Sequence, residues 1–137
     1  MPKLSKAKEK KKLDAALSRY VRASNADENG YVSCFTCGVK KLWKECDCGH
    51  FITRAKLATR FLYKPSEGLV NVMPQCKRCN GFLGGQQFVF ARKLDEIYGE
   101  GTAENILFLS NMHVDFTAEE YKELRKHYDD LFRELHK

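Results

Sequence analysis

Two short cysteine knuckles, Cys34-Phe35-Thr36-Cys37 and Cys76-Lys77-Arg78-Cys79, restrict what this chain can fold into more than any other feature. They stand 38 residues apart and together can bring Cys34, Cys37, Cys76 and Cys79 to one tetrahedral zinc, with Zn–S bonds of about 2.3 Å. Gly38 follows the first knuckle and Gly81 lies just beyond the second, where such sites turn tightly. Four thiolates close the coordination sphere, so the expected Zn2+ is structural and has no open position for water. Disulfides are the competing use of cysteine. The lysine-rich amino terminus lacks the apolar core and cleavage site of a signal peptide, and no apolar run approaches the ~20 residues that span a bilayer. A cytoplasmic, reducing setting is therefore expected, in which six cysteines serve a metal. Cys46 and Cys48 flank Asp47 and could replace one knuckle as a ligand pair. With the two C-x-x-C pairs already completing a site, they read as small buried strand residues.

The chain has 137 residues, room for one compact α+β domain with appended helices. Residues 1–12 read as a mobile basic arm or as the polar start of a helix. Leu13, Leu17, Tyr20 and Val21 recur at helical spacing, which predicts a helix to about residue 23, and residues 24–30 read as a turn. Residues 31–85 show little helical period and are expected to form short strands and loops around the metal. Helical pattern returns from Gln86 to Tyr98, with Gly99 as the stop, and Thr102 to Ser110 could be a short helix. Residues 13–99 thus form the expected zinc-stapled domain. Residues 100–137 form a helical extension, packing on the core or on a second subunit. Within it, Thr117-Ala118-Glu119-Glu120 is a capping-box signature. It precedes one apolar stripe of Tyr121, Leu124, Tyr128, Leu131, Phe132 and Leu135.

Charge is distributed unevenly. Residues 38–93 carry eleven basic and three acidic side chains, whereas residues 94–137 carry five basic and eleven acidic ones. A basic centre suits a polyanion, because neutralising phosphates releases condensed counterions; solvated surface lysines would give the same count.

Between the knuckles lies Cys46-Asp47-Cys48-Gly49-His50-Phe51, and Asn80 follows the second knuckle directly. Closing the zinc site draws Asn80 toward the intervening segment. If residues 43–53 form a hairpin over that site, Asp47, His50 and Asn80 could converge. A carboxylate and an amide oxygen suit magnesium, and a neutral imidazole opposite it could take a proton from water.

Several residues together carry a resemblance: CFTCG (34–38), Trp43 with Asp47, Gly49 and His50, Arg60-Phe61, Asn71, QCKRCN (75–80), Gly84-Gly85 through Tyr98-Gly99, and TAEEYKELRKHY (117–128). In these the chain resembles the HNH, or ββα-metal, nucleases, and within them the phage recombination endonucleases of the NinG/Rap family. It is more distantly similar to phage endonuclease VII, which resolves branched DNA. The resemblance implies a zinc-stapled ββα-metal core and cleavage of branched recombination intermediates, namely Holliday junctions and displacement loops. It makes Asp47 and Asn80 ligands of a catalytic Mg2+ or Mn2+ and His50 the general base. Asn71 would be the asparagine that holds the His50 loop. Gly49 stands where many HNH enzymes carry an acidic or histidine ligand, and Asn80 replaces a histidine, which predicts weak metal binding. The insert Leu62–Gly68 is longer than the family pattern.

The implied partners are branched DNA, a second copy of the chain for paired cuts, and recombination proteins. Arg54, Lys56 and Arg60 after the base, with Lys77 and Arg78 from the knuckle, are the expected phosphate contacts. Trp43 reads as packing against the zinc lobe, with stacking on an unpaired base as the alternative. His113, His127 and His136 read as surface residues. Two other functions fit parts of the pattern: a non-catalytic zinc-ribbon DNA-binding module, and an HNH nuclease cutting ordinary duplex.

Overall fold

The computed structural model describes residues 3–135, so His136 lies outside the described residues. Helix α1 spans Lys6–Ser24 and starts where the Ser5 hydroxyl accepts from the Lys8 amide at 3.2 Å. Of the two readings of the lysine run, the helical one holds for residues 6–12, which are the polar opening turns of α1. Lysine is a good helix former, and the helix is held down further along, where Leu13, Ala16, Leu17 and Val21 are buried at helical spacing. Helix α5, Ala118–Glu134, begins with the reciprocal Thr117–Glu120 capping box, both bonds at 2.9–3.1 Å. Its Tyr121 and Tyr128 are buried against the apolar face of α1. Lys6–Asp115 and Arg19–Asp129 pair across the two segments at 2.8 and 3.1 Å. The acidic carboxyl-terminal segment thus packs on the chain's own basic helix.

Between these helices lie three two-stranded antiparallel ladders. β1 (Tyr31–Ser33) and β2 (Lys40–Leu42) bracket the first knuckle. β3 (Asp47–His50) pairs with β6 (Val72–Gln75), with Asp47 opposite Gln75 and His50 opposite Val72. The short helix α2 is Leu57–Arg60. The Leu62–Gly68 insert folds into a hairpin of β4 (Tyr63–Lys64) and β5 (Leu69–Val70), turned by Pro65–Glu67 and a left-handed Gly68.

Residues 43–53 do not form the expected hairpin. Trp43–Glu45 is a single 3-10 turn, and β3 takes its partner from the strand leading into the second knuckle. Arg22 on α1 holds that turn, its Nη1 donating to the carbonyls of Trp43 and Cys46, each at 3.3 Å. The Arg22 guanidinium carbon sits 5.3 Å from the Trp43 ring centre, and the Phe132 ring of α5 is 6.0 Å away. Trp43 therefore packs at the junction of α1 and α5 and not against the cysteine lobe. Helices α3 (Gln87–Tyr98) and α4 (Thr102–Ser110) cover the far side, where Phe35, Phe51, Val70, Phe90, Leu94 and Ile106 form a second apolar cluster. Among the described residues, no helix is long and apolar enough to cross a membrane.

Candidate metal centre and adjoining cleft

The sulfurs of Cys34, Cys37, Cys76 and Cys79 all lie within 4.8 Å of one another. The Cys37–Cys76 separation of 3.8 Å fits the edge of a tetrahedron with bonds near 2.3 Å. These four cysteines could hold a zinc ion. The two knuckles are also joined by a buried amide: Gln75 Nε2 donates to the Thr36 hydroxyl at 3.0 Å and to the Gly85 carbonyl at 2.9 Å. Cys46 and Cys48 stay outside the cluster. Burial pushes the Cys48 thiol up to about 12, so it is a neutral packing group.

Beside this centre, a cleft of about 430 Å³ opens between α1 and β3. Asp47 and His50, at the two ends of β3, both line it, as do Lys77, Arg54 and, from α1, Lys11 and Asp14. Asn80 lies on the helical turn Arg78–Phe82 that leaves the second knuckle. Its Nδ2 donates to Asp47 Oδ2 at 3.1 Å, while the Lys77 ammonium meets Asp47 Oδ1 at 2.8 Å. Burial alone would raise the Asp47 carboxyl, but Lys77 and Asn80 outweigh it and hold the group below its ordinary value. Asp47 is thus an ionised carboxylate at the cleft.

His50 is held differently. Its Nε2 lies 3.0 Å from the Arg60 carbonyl oxygen. A carbonyl can only accept, so Nε2 carries the hydrogen and Nδ1 keeps its lone pair. Burial pushes the imidazole below the ordinary histidine value, with the Arg60 carbonyl pulling partly back. Asn71, fully buried, donates to the carbonyls of Ile52 and Thr59 at 3.1 and 3.0 Å and accepts from the Ile52 amide at 2.8 Å. It fastens the segment that follows His50. Gly49, between Cys48 and His50, lies against Gln75: a Cβ there would meet that side chain's Cδ at 2.6 Å.

The residues expected to grip phosphates divide. Arg54 and Arg60 both engage Asp14, with Arg54 Nη2 at 2.9 Å and Arg60 Nε at 3.0 Å. Arg60 also reaches Asp14 Oδ2 through Nη2, and only 15% of its side chain is exposed. Lys56 bonds Asn111 at 3.2 Å, away from the cleft. Lys77 and Arg78 are exposed and, with Lys41 and Lys44, border a neighbouring cavity of about 670 Å³. Lys44 and Lys77 line both spaces, so one basic rim runs from the cleft across the knuckles. His113 and His127 are exposed and line neither space.

Sequence reasoning missed Asp14, together with Lys11, Ser18 and Arg22 on the same side of α1. Their spacing marks one helix face, which was readable. That this face meets β3 was not.

Fold and site together define a small α+β protein with a four-thiol centre and a polar cleft beside it. Residues 3–137 match the family model described as Bacteriophage Lambda NinG protein, and the chain belongs to that family. No curated protein and no solved structure gives a match.

Proposed function

We propose that the chain is a metal-dependent DNA endonuclease of the HNH, ββα-metal type, acting on branched recombination intermediates in the cytoplasm of a phage-infected cell. The observation that carries this reading is the His50 imidazole. It is buried enough to stay neutral, and its Nε2 faces the Arg60 carbonyl, leaving Nδ1 as the basic nitrogen of a residue that lines a cleft with an ionised carboxylate. A binding module has no need of a histidine tuned in this way. The antiparallel β3–β6 pair followed by the turn bearing Asn80 supports the ββα reading.

In the reaction, His50 Nδ1 takes a proton from water as the water oxygen attacks phosphorus in line. The bond from phosphorus to the 3′ oxygen breaks and that oxygen takes a proton from solvent, leaving a 3′ hydroxyl and a 5′ phosphate. The Asp47 carboxylate and the Asn80 amide, whose Nδ2 bonds Asp47 and whose oxygen stays available, are a hard-oxygen set that fits Mg2+ or Mn2+. Such a cation, when bound, supplies charge compensation at the phosphate and the departing oxygen. With two protein donors, binding is expected to be weak, and Lys77 must leave Asp47 to admit it. Lys44, Lys77 and Arg78 along the basic rim hold the phosphate backbone. Arg60 serves instead to fix the base. Paired cuts across a junction call for a dimer, and recombination proteins are the natural partners.

The Lys77–Asp47 ion pair favours one other reading, a zinc-stabilised DNA-binding module, because it already satisfies the carboxylate. The deciding experiment compares a four-way junction, a displacement loop and linear duplex, each with and without magnesium, for the wild type and His50→Ala. Magnesium-dependent cutting of branched DNA that vanishes in the variant is expected. Binding without cutting of any substrate would select the module, and equal cutting of all three would remove branch selectivity.

A further inference from the structure

Phe82 and Phe88 are 87% and 95% exposed, the barest large apolar side chains among the described residues. Neither belongs to an apolar cluster or to a ring–ring contact among them. They bracket Gly84, Gly85 and Gln86, three consecutive residues with left-handed backbone at φ 67°, 93° and 53°. Gln86 is the one non-glycine residue among those described with positive φ, a conformation that persists only where surrounding structure enforces it. The enforcement is visible. Gly85 donates to the Cys79 carbonyl at 2.7 Å and accepts from buried Gln75 at 2.9 Å, and Leu83 donates to the Arg78 carbonyl at 2.7 Å. Both phenyl rings are therefore displayed from a segment tied to the second knuckle, and Phe82 ends the turn that carries Asn80.

The sequence around the two rings is basic, and Lys77 and Arg78 of the adjoining knuckle are exposed. Between Glu67 and Asp95 the chain has no acidic residue, while Lys77, Arg78, Arg92 and Lys93 are cationic. A second copy of the chain would bring the same cations against themselves, whereas a polyanion with flat apolar faces fits both the rings and the charge. Paired bases hide those faces and unpaired bases expose them.

We propose that Phe82 and Phe88 stack on unpaired bases at a DNA branch and so hold the junction on the knuckle lobe, an inference that rests on the endonuclease reading above. The contact is sequence-tolerant, since every base has a π-face, and it discriminates branched from continuous duplex.

The test titrates the full-length zinc-loaded protein, with calcium replacing magnesium, into two DNAs. One carries an unpaired 2-aminopurine at a branch, and the other is fully paired. Wild-type binding should quench the 2-aminopurine. The Phe82→Ala/Phe88→Ala variant should bind the branched DNA about tenfold more weakly or worse, lose the quench, and bind paired duplex within about twofold of wild type. Phe82→Trp/Phe88→Trp should restore both signals. Zinc content and circular dichroism should match across variants, since neither ring packs in the fold. Equal weakening on both DNAs, or an undiminished quench, overturns the proposal. So does an alanine variant that changes only sedimentation, which would assign the rings to self-association. Wild-type protein that quenches fully yet never cuts in magnesium would leave the stacking standing and remove the hydrolytic reading.

Discussion

Along α1 and α5, Leu13, Leu17, Val21 and Tyr121 are almost wholly removed from water. Between the knuckles, by contrast, no strand exceeds four residues and the buried groups include Thr36, Asn71, Gln75 and three of the four clustered thiols. The helical pair is held by apolar burial, about 1.5–3 kcal/mol for each large side chain. The knuckle lobe has short ladders, polar clamps and a thiol cluster, and strands this short are not stable alone. The cleft lies on the seam, with Asp14 from the first region and Asp47 and His50 from the second. A site built this way needs both halves, yet they should fail under different insults.

The largest effect is expected from Cys76→Ser. Structural zinc contributes roughly 10–16 kcal/mol in isolated finger peptides. Its loss should remove the bound zinc and the amide-exchange protection of β3 and β6 while most helical circular dichroism survives. Retained zinc would contradict the four-thiol assignment. Next comes His50→Ala, which should slow cleavage by about 10²–10⁴ with zinc stoichiometry and DNA affinity unchanged. A loss of zinc in this variant would mean that the two halves are not separable. Leu13→Ala attacks the other region and should cost about 2–5 kcal/mol in urea unfolding. Cleavage per folded molecule should stay near wild type.

The smallest effect, and the sharpest probe of the seam, is expected from Asp14→Asn. Asp14 anchors the guanidinium of the residue whose carbonyl faces His50, so it is a positioning residue. Cleavage should fall about tenfold, the scale of one supporting hydrogen bond. The pH profile separates this from general damage. Burial lowers the His50 value, so wild-type cleavage should rise with pH through a midpoint below that of an ordinary histidine and then level off. The Asp14 charge opposes that shift, and its removal should move the midpoint lower still. A midpoint that stays put while the rate falls would refute the link.

What was legible in the sequence follows the same division. The capping box of α5 closes within one turn, so Thr117 and Glu120 announced it locally. The stop of α3 at Gly99 (φ 115°) was equally local. The start of α1 was left open between an arm and a polar helix start, because lysines carry no apolar period even when they are helical. The β3–β6 pairing was hidden because four-residue strands are too short for alternation to register. The four cysteines were readable from spacing, but the Asp14–Arg60–His50 chain was not. Arg54 and Arg60 show in sequence only that they are cations; their partner lies on a helix some forty residues earlier.

The close approach of Gln75 to Gly49 has an evolutionary consequence. Any side chain at position 49 must displace an amide that clasps both knuckles. Single mutations therefore cannot place a side chain next to the histidine without loosening the scaffold. A larger residue at position 49 calls for a compensating change at position 75.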